Sequence, residues 1–177
     1  MPNVTAEEVR AKVDYDPDTG LFVWRTRPGA DHQTNAWNAK YAGTQAGSKM
    51  ANGYVEIGWI SSGRRFRSLG HRLAWVHFYG AWPKDMVDHI DGDKANNRII
   101  NLREATMAQN AWNTGARPWS KSGVKGVSWD KSRGKWFASI FVNRKQIALG
   151  RYDDIREAAE AYAEAARRYH GDFANTG

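Results

Sequence analysis

Carboxylate, imidazole and amide side chains recur at close spacing in one stretch of the chain, Val87-Asp-His-Ile-Asp-Gly-Asp-Lys-Ala-Asn-Asn-Arg-Ile-Ile-Asn-Leu-Arg-Glu-Ala-Thr-Met-Ala-Gln-Asn110. Hydrolysis of a phosphodiester bond needs a base that deprotonates the attacking water and a cation that neutralises charge on the phosphate and the leaving oxygen. Histidine is the natural base near neutral pH. A carboxylate and an amide oxygen are hard ligands that suit Mg²⁺ or Mn²⁺. The side chains of this stretch therefore fit metal-assisted phosphodiester hydrolysis.

Two strands are predicted to position the first of these side chains. Residues 86–90 can form a strand that carries Asp88 and His89, and residues 102–105 can form the strand that returns beside it. Because Asn101 comes just before the second strand, we expect its side chain to hydrogen-bond backbone groups. Such bonds would tie down the loop that positions His89.

A helix is predicted after the second strand, because Thr106 and Gln109 form a capping-box pattern. Asn110 then lies one turn into that helix. The predicted unit is β-β-α, and we expect the strand-borne Asp88 and His89 to face the helix-borne Asn110.

The same stretch resembles the HNH endonucleases, specifically those of phage homing enzymes. The shared pattern covers residues 70–113 and consists of His71-Arg-Leu73, then Asp-His-x-Asp-Gly-x-Lys-x-Asn-Asn, then Asn101-Leu-Arg103, then an asparagine on the helix. The resemblance implies that His89 is the general base and that Asp88 and Asn110 bind the metal. It also implies that Asn101 is the central structural asparagine. Asn110 stands where the family name has its second histidine, as in a subset of the family thought to use a single metal ion.

The turn between the two predicted strands has other interpretations. The segment Asp91-Gly-Asp93 has some character of a calcium-binding loop, but its glycine comes too early and no glutamate ends the loop. The two aspartates, together with Asn96 and Asn97, are alternatively turn-forming residues. We favour that interpretation for Asp91 and Asp93.

The charge of the chain is concentrated in one segment. The formal net charge is +7, and residues 121–151 hold eight basic residues and one acid, Asp130. The remainder has equal numbers of basic and acidic residues and is neutral. Charge confined to one short segment indicates a surface for a polyanion, although a solvated basic face would have the same composition.

Three strands and a helix are predicted in this basic part of the chain. The strands are expected at residues 126–129, 136–142 and 146–151, and the helix at residues 154–169. The helix has a broad apolar stripe of alanine and tyrosine, which can pack on one face of the sheet and leave the other face open.

This C-terminal module resembles the plant ethylene-response-factor (Apetala-two/ERF) DNA-binding domain. The shared segments are Gly123-Val-Lys-Gly-Val-Ser-Trp129, Gly134-Lys-Trp136, Leu149-Gly-Arg-Tyr152 and Ala158-Ala-Glu-Ala-Tyr-Ala-Glu-Ala-Ala166. The resemblance implies that the sheet lies in the major groove of DNA. The candidate DNA contacts are Lys125, Trp129, Lys131, Arg133, Lys135, Trp136, Arg144, Lys145 and Arg151. Either tryptophan is alternatively part of the core.

The first 69 residues are predicted to form a small antiparallel region that flanks the nuclease module. A capping-box pattern at Thr5 and Glu8 predicts a short helix to about Val13. Strands are expected at residues 21–24, 53–60 and 65–69. Residues 26–48 are polar and are predicted to be irregular.

A further helix is predicted over residues 71–79, and it carries two histidines six positions apart, His71 and His77. We expect both to pack or to contact phosphate rather than to bind metal.

The predicted fold class is α+β, with a ββα-metal HNH nuclease module and a three-stranded antiparallel sheet packed on one helix. The expected domains are a small-sheet region (1–69), the HNH nuclease core (70–114), a linker rich in glycine, proline and serine (115–122) and the ERF-like DNA-binding domain (123–177).

Composition argues against several classes of protein. The chain has no cysteine, so neither a disulfide nor a structural zinc is expected. No apolar run approaches the roughly 18 residues of a membrane span, and residues 1–10 lack the pattern of a secretory signal. We therefore expect no membrane association and a cytoplasmic location, as for a phage protein in a bacterial host cell.

These observations predict a metal-dependent endonuclease that hydrolyses phosphodiester bonds in double-stranded DNA, with Mg²⁺ or Mn²⁺ as its cofactor. We expect a phage-type HNH enzyme, with homing as the narrower interpretation, and favour a monomer. The main alternative is a catalytically inactive, sequence-specific DNA-binding regulator. An enzyme that acts on RNA is a third hypothesis.

Overall fold

The computed structural model describes residues 4–176, and the chain divides into two compact units between Ala105 and Thr106. The first unit contains α1 (Ala6–Lys12), β1 (Val13–Tyr15), β2 (Phe22–Trp24), α2 (His32–Tyr41), β3 (Ser48–Lys49), β4 (Val55–Ser61), β5 (Arg64–Leu69), α3 (Gly70–Tyr79), β6 (Met86–His89) and β7 (Leu102–Ala105). The second unit contains α4 (Met107–Asn113), β8 (Val127–Asp130), β9 (Lys135–Val142), β10 (Lys145–Tyr152) and α5 (Ile155–His170). Short 3₁₀ turns lie at Ile99–Asn101 and Gly171–Phe173.

The core of the first unit surrounds α3, which packs against α1 and against β4, β5 and β6. Leu73, Ala74 and Val76 of this helix are fully buried. The antiparallel sheet β3-β4-β5 adds Ile57 and Trp59 to the same core, because burial alternates along β4. This packing supports β6, the strand that carries the predicted catalytic histidine.

The predicted β-hairpin of the nuclease module is confirmed. β6 and β7 pair antiparallel, with Asp88 opposite Arg103 and His89 opposite Leu102. The helix expected after the hairpin is also present, and its predicted capping box forms. Thr106 Oγ1 accepts from Gln109 N at 3.3 Å, and Gln109 Oε1 accepts from Thr106 N at 2.8 Å.

Three elements of the first unit, α2, β1 and the two-residue β3, were not predicted from the sequence. The helix α2 lies within the segment that was expected to be irregular, residues 26–48, so that expectation was wrong. Asp31 caps this helix by accepting from Thr34 N at 2.9 Å, but no residue of α2 is buried. The helix therefore lacks the apolar periodicity by which helices are predicted. β1 has three residues and follows α1 directly, so the pattern of the helix concealed it.

The second unit contains the predicted sheet packed on one helix. The antiparallel strand order is β10-β9-β8, and α5 packs against all three strands. The buried residues at this interface are Val127, Ala138, Ile140, Ala158, Tyr162, Ala165 and Ala166. The predicted α+β fold class is confirmed. Within residues 4–176, no helix is both long and apolar enough to cross a membrane.

The helix α4 belongs to the second unit, although the sequence pattern assigns it to the nuclease core. It contacts the 3₁₀ turn Gly171–Phe173, and it receives hydrogen bonds from Lys125 and Asn175. The compact units therefore divide before α4, rather than within the expected linker at residues 115–122.

Gly126 shows how closely α5 packs on the sheet of the second unit. Its φ is +73°, and a Cβ at this position would overlap the ring of Tyr162 and lie 2.6 Å from Ser139 O. Gly134 has a similar φ of +61°, but a Cβ there would meet nothing within 4 Å. An alanine at Gly134 would therefore cost only the free energy of a left-handed backbone, whereas an alanine at Gly126 would add the cost of steric overlap.

We expect Gly126→Ala to destabilise the second unit by about 3 kcal/mol, because the strained backbone and the overlap with Tyr162 both contribute. Gly134→Ala should cost only about 1 kcal/mol, from the backbone alone. Urea unfolding of the full chain measures both variants. Equal unfolding midpoints for the two would contradict the close packing of Gly126 on α5.

Candidate active site and DNA-contact surface

His89 ends β6 and is buried. Its Nε2 lies 3.2 Å from Oδ1 of Asn97, which is 2% exposed. An amide oxygen can only accept, so this contact requires a proton on Nε2 and leaves the lone pair on Nδ1. Burial lowers the pKa of His89 below its ordinary value, and the hydrogen bond with Asn97 opposes that shift. A neutral imidazole with a fixed tautomer is what a general base requires.

The ring of His89 is packed against a second buried histidine. The centroids of His71 and His89 lie 4.9 Å apart with the rings nearly perpendicular, and the ring of Tyr54 lies against both. Burial lowers the pKa of His71 to about 3, so this side chain is neutral. Its Nδ1 has no hydrogen-bond partner among residues 4–176. His71 therefore packs behind His89 and does not lie on a surface that could contact phosphate.

Arg103 binds the carboxylate of Asp88. Both Nε and Nη2 of Arg103 donate to Asp88 Oδ2 at 3.0 Å, and Asp88 is buried. The two residues are opposite each other in the β6–β7 pair, which explains how they meet. No role was predicted for Arg103. Its position in the Asn101-Leu-Arg103 motif, combined with the register of the hairpin, was the signal that could have found it.

Asn101 fastens the loop between β6 and β7. Its Nδ2 donates at 2.9 Å both to Asp91 Oδ1 and to Asn96 O, and its Oδ1 accepts from Asp91 N at 3.1 Å. Its backbone oxygen accepts from Ile90 N at 2.9 Å. These contacts are of the kind expected for a structural asparagine. Asp91 takes part as a loop-forming residue, as the sequence interpretation favoured.

Asn97 differs from its neighbours in this loop. Its side chain contacts His89 instead of capping a turn, and its backbone oxygen accepts from Tyr15 Oη at 2.7 Å. The sequence pattern left Asn97 with the turn-forming residues. Burial was the missing information, because the sequence does not reveal which asparagine of the Asn96-Asn97 pair points inward.

The predicted metal ligands Asp88 and Asn110 lie in different units. Asp88 is on β6, and Asn110 is on α4, where its backbone N–H donates to Thr106 O at 2.9 Å. No group of three or more His, Cys, Asp or Glu side chains that could hold a metal occurs in the described part of the chain. The predicted pair does not require such a group, since it offers one carboxylate and one amide oxygen. These hard donors fit a hard divalent cation.

The face of the C-terminal sheet that points away from α5 carries two of the predicted DNA contacts. Ala138 and Ile140 are buried toward α5, so Lys135 lies on the opposite face of β9. Arg151 pairs with Phe137 of this face, and its Nε donates to Asp130 Oδ2 at 2.9 Å. The hydroxyl of Ser132 and then the guanidinium of Arg151 hold the pKa of Asp130 well below its usual range.

Four further predicted contacts lie in the two turns of this sheet. Lys131 and Arg133 are exposed between β8 and β9, and Arg144 and Lys145 are exposed where β9 turns into β10. Arg144 has a φ of +63° in this tight turn. Lys131 and Arg133 therefore lie at one end of the sheet, and Arg144 and Lys145 lie at the other end.

The two tryptophans of the predicted contact set differ in their surroundings. Trp129 and Trp136 are opposite each other in β8 and β9, with ring centroids 5.0 Å apart. Trp136 packs against the core of the second unit, whereas Trp129 is 47% exposed. The alternative of a core role therefore applies to Trp136, and we leave it out of the proposed DNA-contact set.

Lys125 also leaves that set, because its ammonium is occupied within the second unit. Its Nζ donates to the backbone oxygens of Ala111 at 3.1 Å, Trp112 at 2.7 Å and Thr114 at 2.5 Å. Burial lowers the pKa of Lys125 to about 8, so the ammonium remains mainly protonated at pH 7. The sequence showed a lysine in a basic segment but could not show what it binds.

Comparison with known proteins adds two family matches. A model for the HNH endonuclease matches residues 68–112, and a model for the AP2 domain matches residues 122–172. Protein 3.8 of Escherichia phage T7 is 35% identical over 105 residues, which make up 59% of this chain and 86% of that protein. The chain belongs to the HNH endonuclease family. The predicted resemblances to phage HNH endonucleases and to the Apetala-two/ERF domain are thereby confirmed.

Two further relatives of this HNH endonuclease match it over a smaller share of their length. The uncharacterized HNH endonuclease L560 of Acanthamoeba polyphaga mimivirus is 34% identical over 54% of this chain and 49% of its own length. DNA endonuclease I-HmuI of Bacillus phage SP01 is 37% identical over 37% of this chain and 38% of its own length. A solved structure of the HNH homing endonuclease I-HmuI covers 58% of this chain and 51% of that one, with 27% identity and a TM-score of 0.42. The chain spans less than half the length of these two curated relatives.

Family membership gives the class of protein. The chain is a DNA endonuclease, and both its HNH and its AP2 parts are of kinds that bind DNA. HNH nucleases generally depend on a divalent metal.

The contact between Asn97 and His89 gives a prediction for the HNH endonuclease. Asn97→Ala removes the oxygen that fixes the His89 tautomer, so we expect the cleavage rate at saturating DNA to fall about tenfold or more. Asn97→Asp keeps an acceptor oxygen in the same place and should retain more of the rate. Single-turnover cleavage measures both variants. A wild-type rate for Asn97→Ala would show that the tautomer of His89 does not depend on this contact.

Proposed function

We propose that this HNH endonuclease hydrolyses phosphodiester bonds in double-stranded DNA, with Mg²⁺ or Mn²⁺ as its cofactor. The observation that carries the proposal is the buried pair at the end of β6. His89 is hydrogen-bonded by Asn97, and the adjacent Asp88 is hydrogen-bonded by Arg103. Both side chains are thus oriented within a match to the HNH endonuclease model.

His89 acts as the general base in this proposal. Its imidazole takes a proton from the attacking water, while the contact with Asn97 holds the ring in place. The imidazolium that forms is stabilised by the carboxylates of Asp88 and Asp91, whose charges favour the protonated ring. Asn101 contributes through the loop, since its three hydrogen bonds to Asp91 and Asn96 fix the chain that follows His89.

Asp88 and Asn110 are the proposed metal ligands. When bound, the cation neutralises charge on the scissile phosphate and on the leaving oxygen. Asp88 contributes a carboxylate oriented by Arg103, and Asn110 contributes an amide oxygen from α4. Because Asp88 and Asn110 supply only two protein oxygens, water and the DNA phosphate would complete the coordination shell. By family resemblance, the products carry a 5′-phosphate and a 3′-hydroxyl.

The C-terminal sheet grips duplex DNA in this proposal. The retained contact set is Trp129, Lys131, Arg133, Lys135, Arg144, Lys145 and Arg151. Cutting and gripping therefore use different parts of the chain, because the nuclease strands belong to the net-neutral part of the sequence. Basic side chains supply affinity through the phosphates, whereas contacts with base edges supply selectivity.

The narrower biological proposal is a phage-type homing endonuclease that acts as a monomer in the cytoplasm of a bacterial host. Two of the relatives are phage proteins, and the solved relative is a homing endonuclease. A single proposed site per chain makes the nicking of one strand the natural outcome for a monomer.

A supercoiled plasmid incubated with Mg²⁺ or Mn²⁺ tests the enzymatic proposal. We expect wild type to nick it and His89→Ala to be slower by about a hundredfold or more, because general-base catalysis contributes at least this factor. The control is His32→Ala, which removes an exposed histidine of α2 and should leave the rate unchanged. Asn110→Ala should raise the metal concentration that gives half-maximal cleavage.

Two results would overturn the enzymatic proposal. If wild type and His89→Ala leave the plasmid equally intact in every metal, the chain is not a nuclease by this mechanism. A gel shift of duplex DNA without cleavage would then favour the DNA-binding regulator. Stronger competition by structured RNA than by duplex DNA would favour an enzyme that acts on RNA.

The double variant Arg144→Ala/Lys145→Ala tests the DNA grip. Each lost phosphate contact should reduce the slope of log affinity against log salt by about 0.9, so we expect weaker binding with a flatter salt dependence. Arg167→Ala/Arg168→Ala removes the same charge from the exposed side of α5 and is the matched control. Fluorescence anisotropy at several salt concentrations measures both slopes. Equal slopes for the two double variants would place Arg144 and Lys145 away from the DNA backbone.

A further inference from the structure

Lys125 closes the C-terminal end of α4. The last carbonyl groups of a helix have no partner within the helix, and they carry the negative end of its dipole. Lys125 Nζ donates to the oxygens of Ala111, Trp112 and Thr114 at 2.5–3.1 Å, so one ammonium uses its three donors on this helix end. Lys125 lies just before β8, in the loop of the AP2-like domain.

Two other parts of the second unit hold the same helix end. The ring of Trp112 stacks on His170, the last residue of α5, with centroids 4.5 Å apart and planes 5° apart. His170 is itself placed by a contact of 3.2 Å between its Nε2 and Phe141 O of β9. Asn175, near the C-terminus, donates from Nδ2 to Asn113 O at 2.6 Å. We call Lys125, His170 and Asn175 the α4 anchor.

The anchor matters because α4 is short. A helix of seven residues is not stable by itself in water, since helices shorter than roughly 12 residues are marginal. Its N-terminal end has the capping box of Thr106 and Gln109. Its C-terminal end has the anchor, which comes from three separate segments of the second unit. The orientation of α4 is therefore tied to the DNA-binding sheet of its own unit.

We infer that the AP2-like domain positions the nuclease helix α4, and that Lys125 is a positioning residue for Asn110. This inference rests on the proposed function, in which Asn110 binds the metal. Lys125 then serves cleavage without touching DNA, metal or the reacting atoms. The domain that grips DNA would also determine where one metal ligand lies, so grip and cleavage are coupled through α4.

The variant Lys125→Met tests the inference, because it keeps the length of the side chain and removes its donors and charge. Lys125→Arg keeps donors and charge, and Lys121→Met removes an exposed lysine four residues away as the matched control. Three quantities are measured on the full chain. The first is amide hydrogen exchange of peptides covering residues 107–114, without DNA or metal. The others are the DNA dissociation constant and the single-turnover cleavage rate at saturating DNA.

For Lys125→Met we expect exchange in residues 107–114 to become about fivefold faster or more, while β9 stays protected. The saturated cleavage rate should fall about tenfold, with the DNA dissociation constant changed by less than about threefold. Lys125→Arg should recover part of the rate, and Lys121→Met should match wild type in exchange and in cleavage rate.

Weaker DNA binding with wild-type exchange and a wild-type saturated rate would overturn the inference and return Lys125 to the DNA contacts. If Lys125→Met unfolds the second unit, His170→Ala decides by the same measurements, because it removes the ring that stacks on Trp112, with its contact to Phe141 O, and leaves Lys125 in place. If wild type cleaves nothing in any metal, the proposed function fails and the positioning role fails with it. The exchange data then still show whether the α4 anchor exists.

Discussion

The hydrogen bond between His89 and the buried Asn97 is the interaction on which the candidate active site depends. A histidine near neutral pH has two tautomers and can also become charged, and only one of these forms is a useful base. The amide oxygen of Asn97 selects the form with a proton on Nε2. This selection requires the loop between β6 and β7 to be rigid. Asn101 provides that rigidity by bonding to Asp91 and Asn96. Asn97 and Asn101 therefore determine the form of His89 without reacting themselves.

The surroundings of Asp88 and His89 show a second constraint, which is electrostatic. A buried carboxylate is costly unless it is paired, and Arg103 supplies the pairing across the hairpin. His89 has neutral aromatic neighbours, His71 and Tyr54, on its other side. Arg103 pairs with the carboxylate of Asp88 inside the protein, while burial beside the aromatic rings lowers the pKa of His89 one residue away. One strand therefore presents a paired carboxylate and a buried imidazole side by side.

Sequence reasoning succeeded where a signal was local. The capping box at Thr106, the strands of the hairpin and the apolar stripe of α5 all follow from neighbouring residues, and all are present. It failed where burial or a distant partner decided the outcome. Asn97 and Arg103 received no role, and α2 had no apolar face to reveal it. For Lys125 the sequence shows only the charge, whereas the three backbone oxygens that accept from its ammonium are visible only in the structure.

The boundary between the family matches and the boundary between the compact units differ, and the difference has a physical meaning. The match to the HNH model ends at residue 112, within α4, whereas the units divide before α4 begins. A fragment that ends at residue 114 would keep the whole HNH pattern but would lose Lys125, His170 and Asn175. Its helix would keep the capping box and the bond from Thr114 Oγ1 to Ala111 O, but the backbone oxygens of Trp112 and Thr114 would lose the ammonium of Lys125. The residues of the HNH pattern therefore end at α4, but the residues that hold α4 in place lie further along the chain, in the second unit.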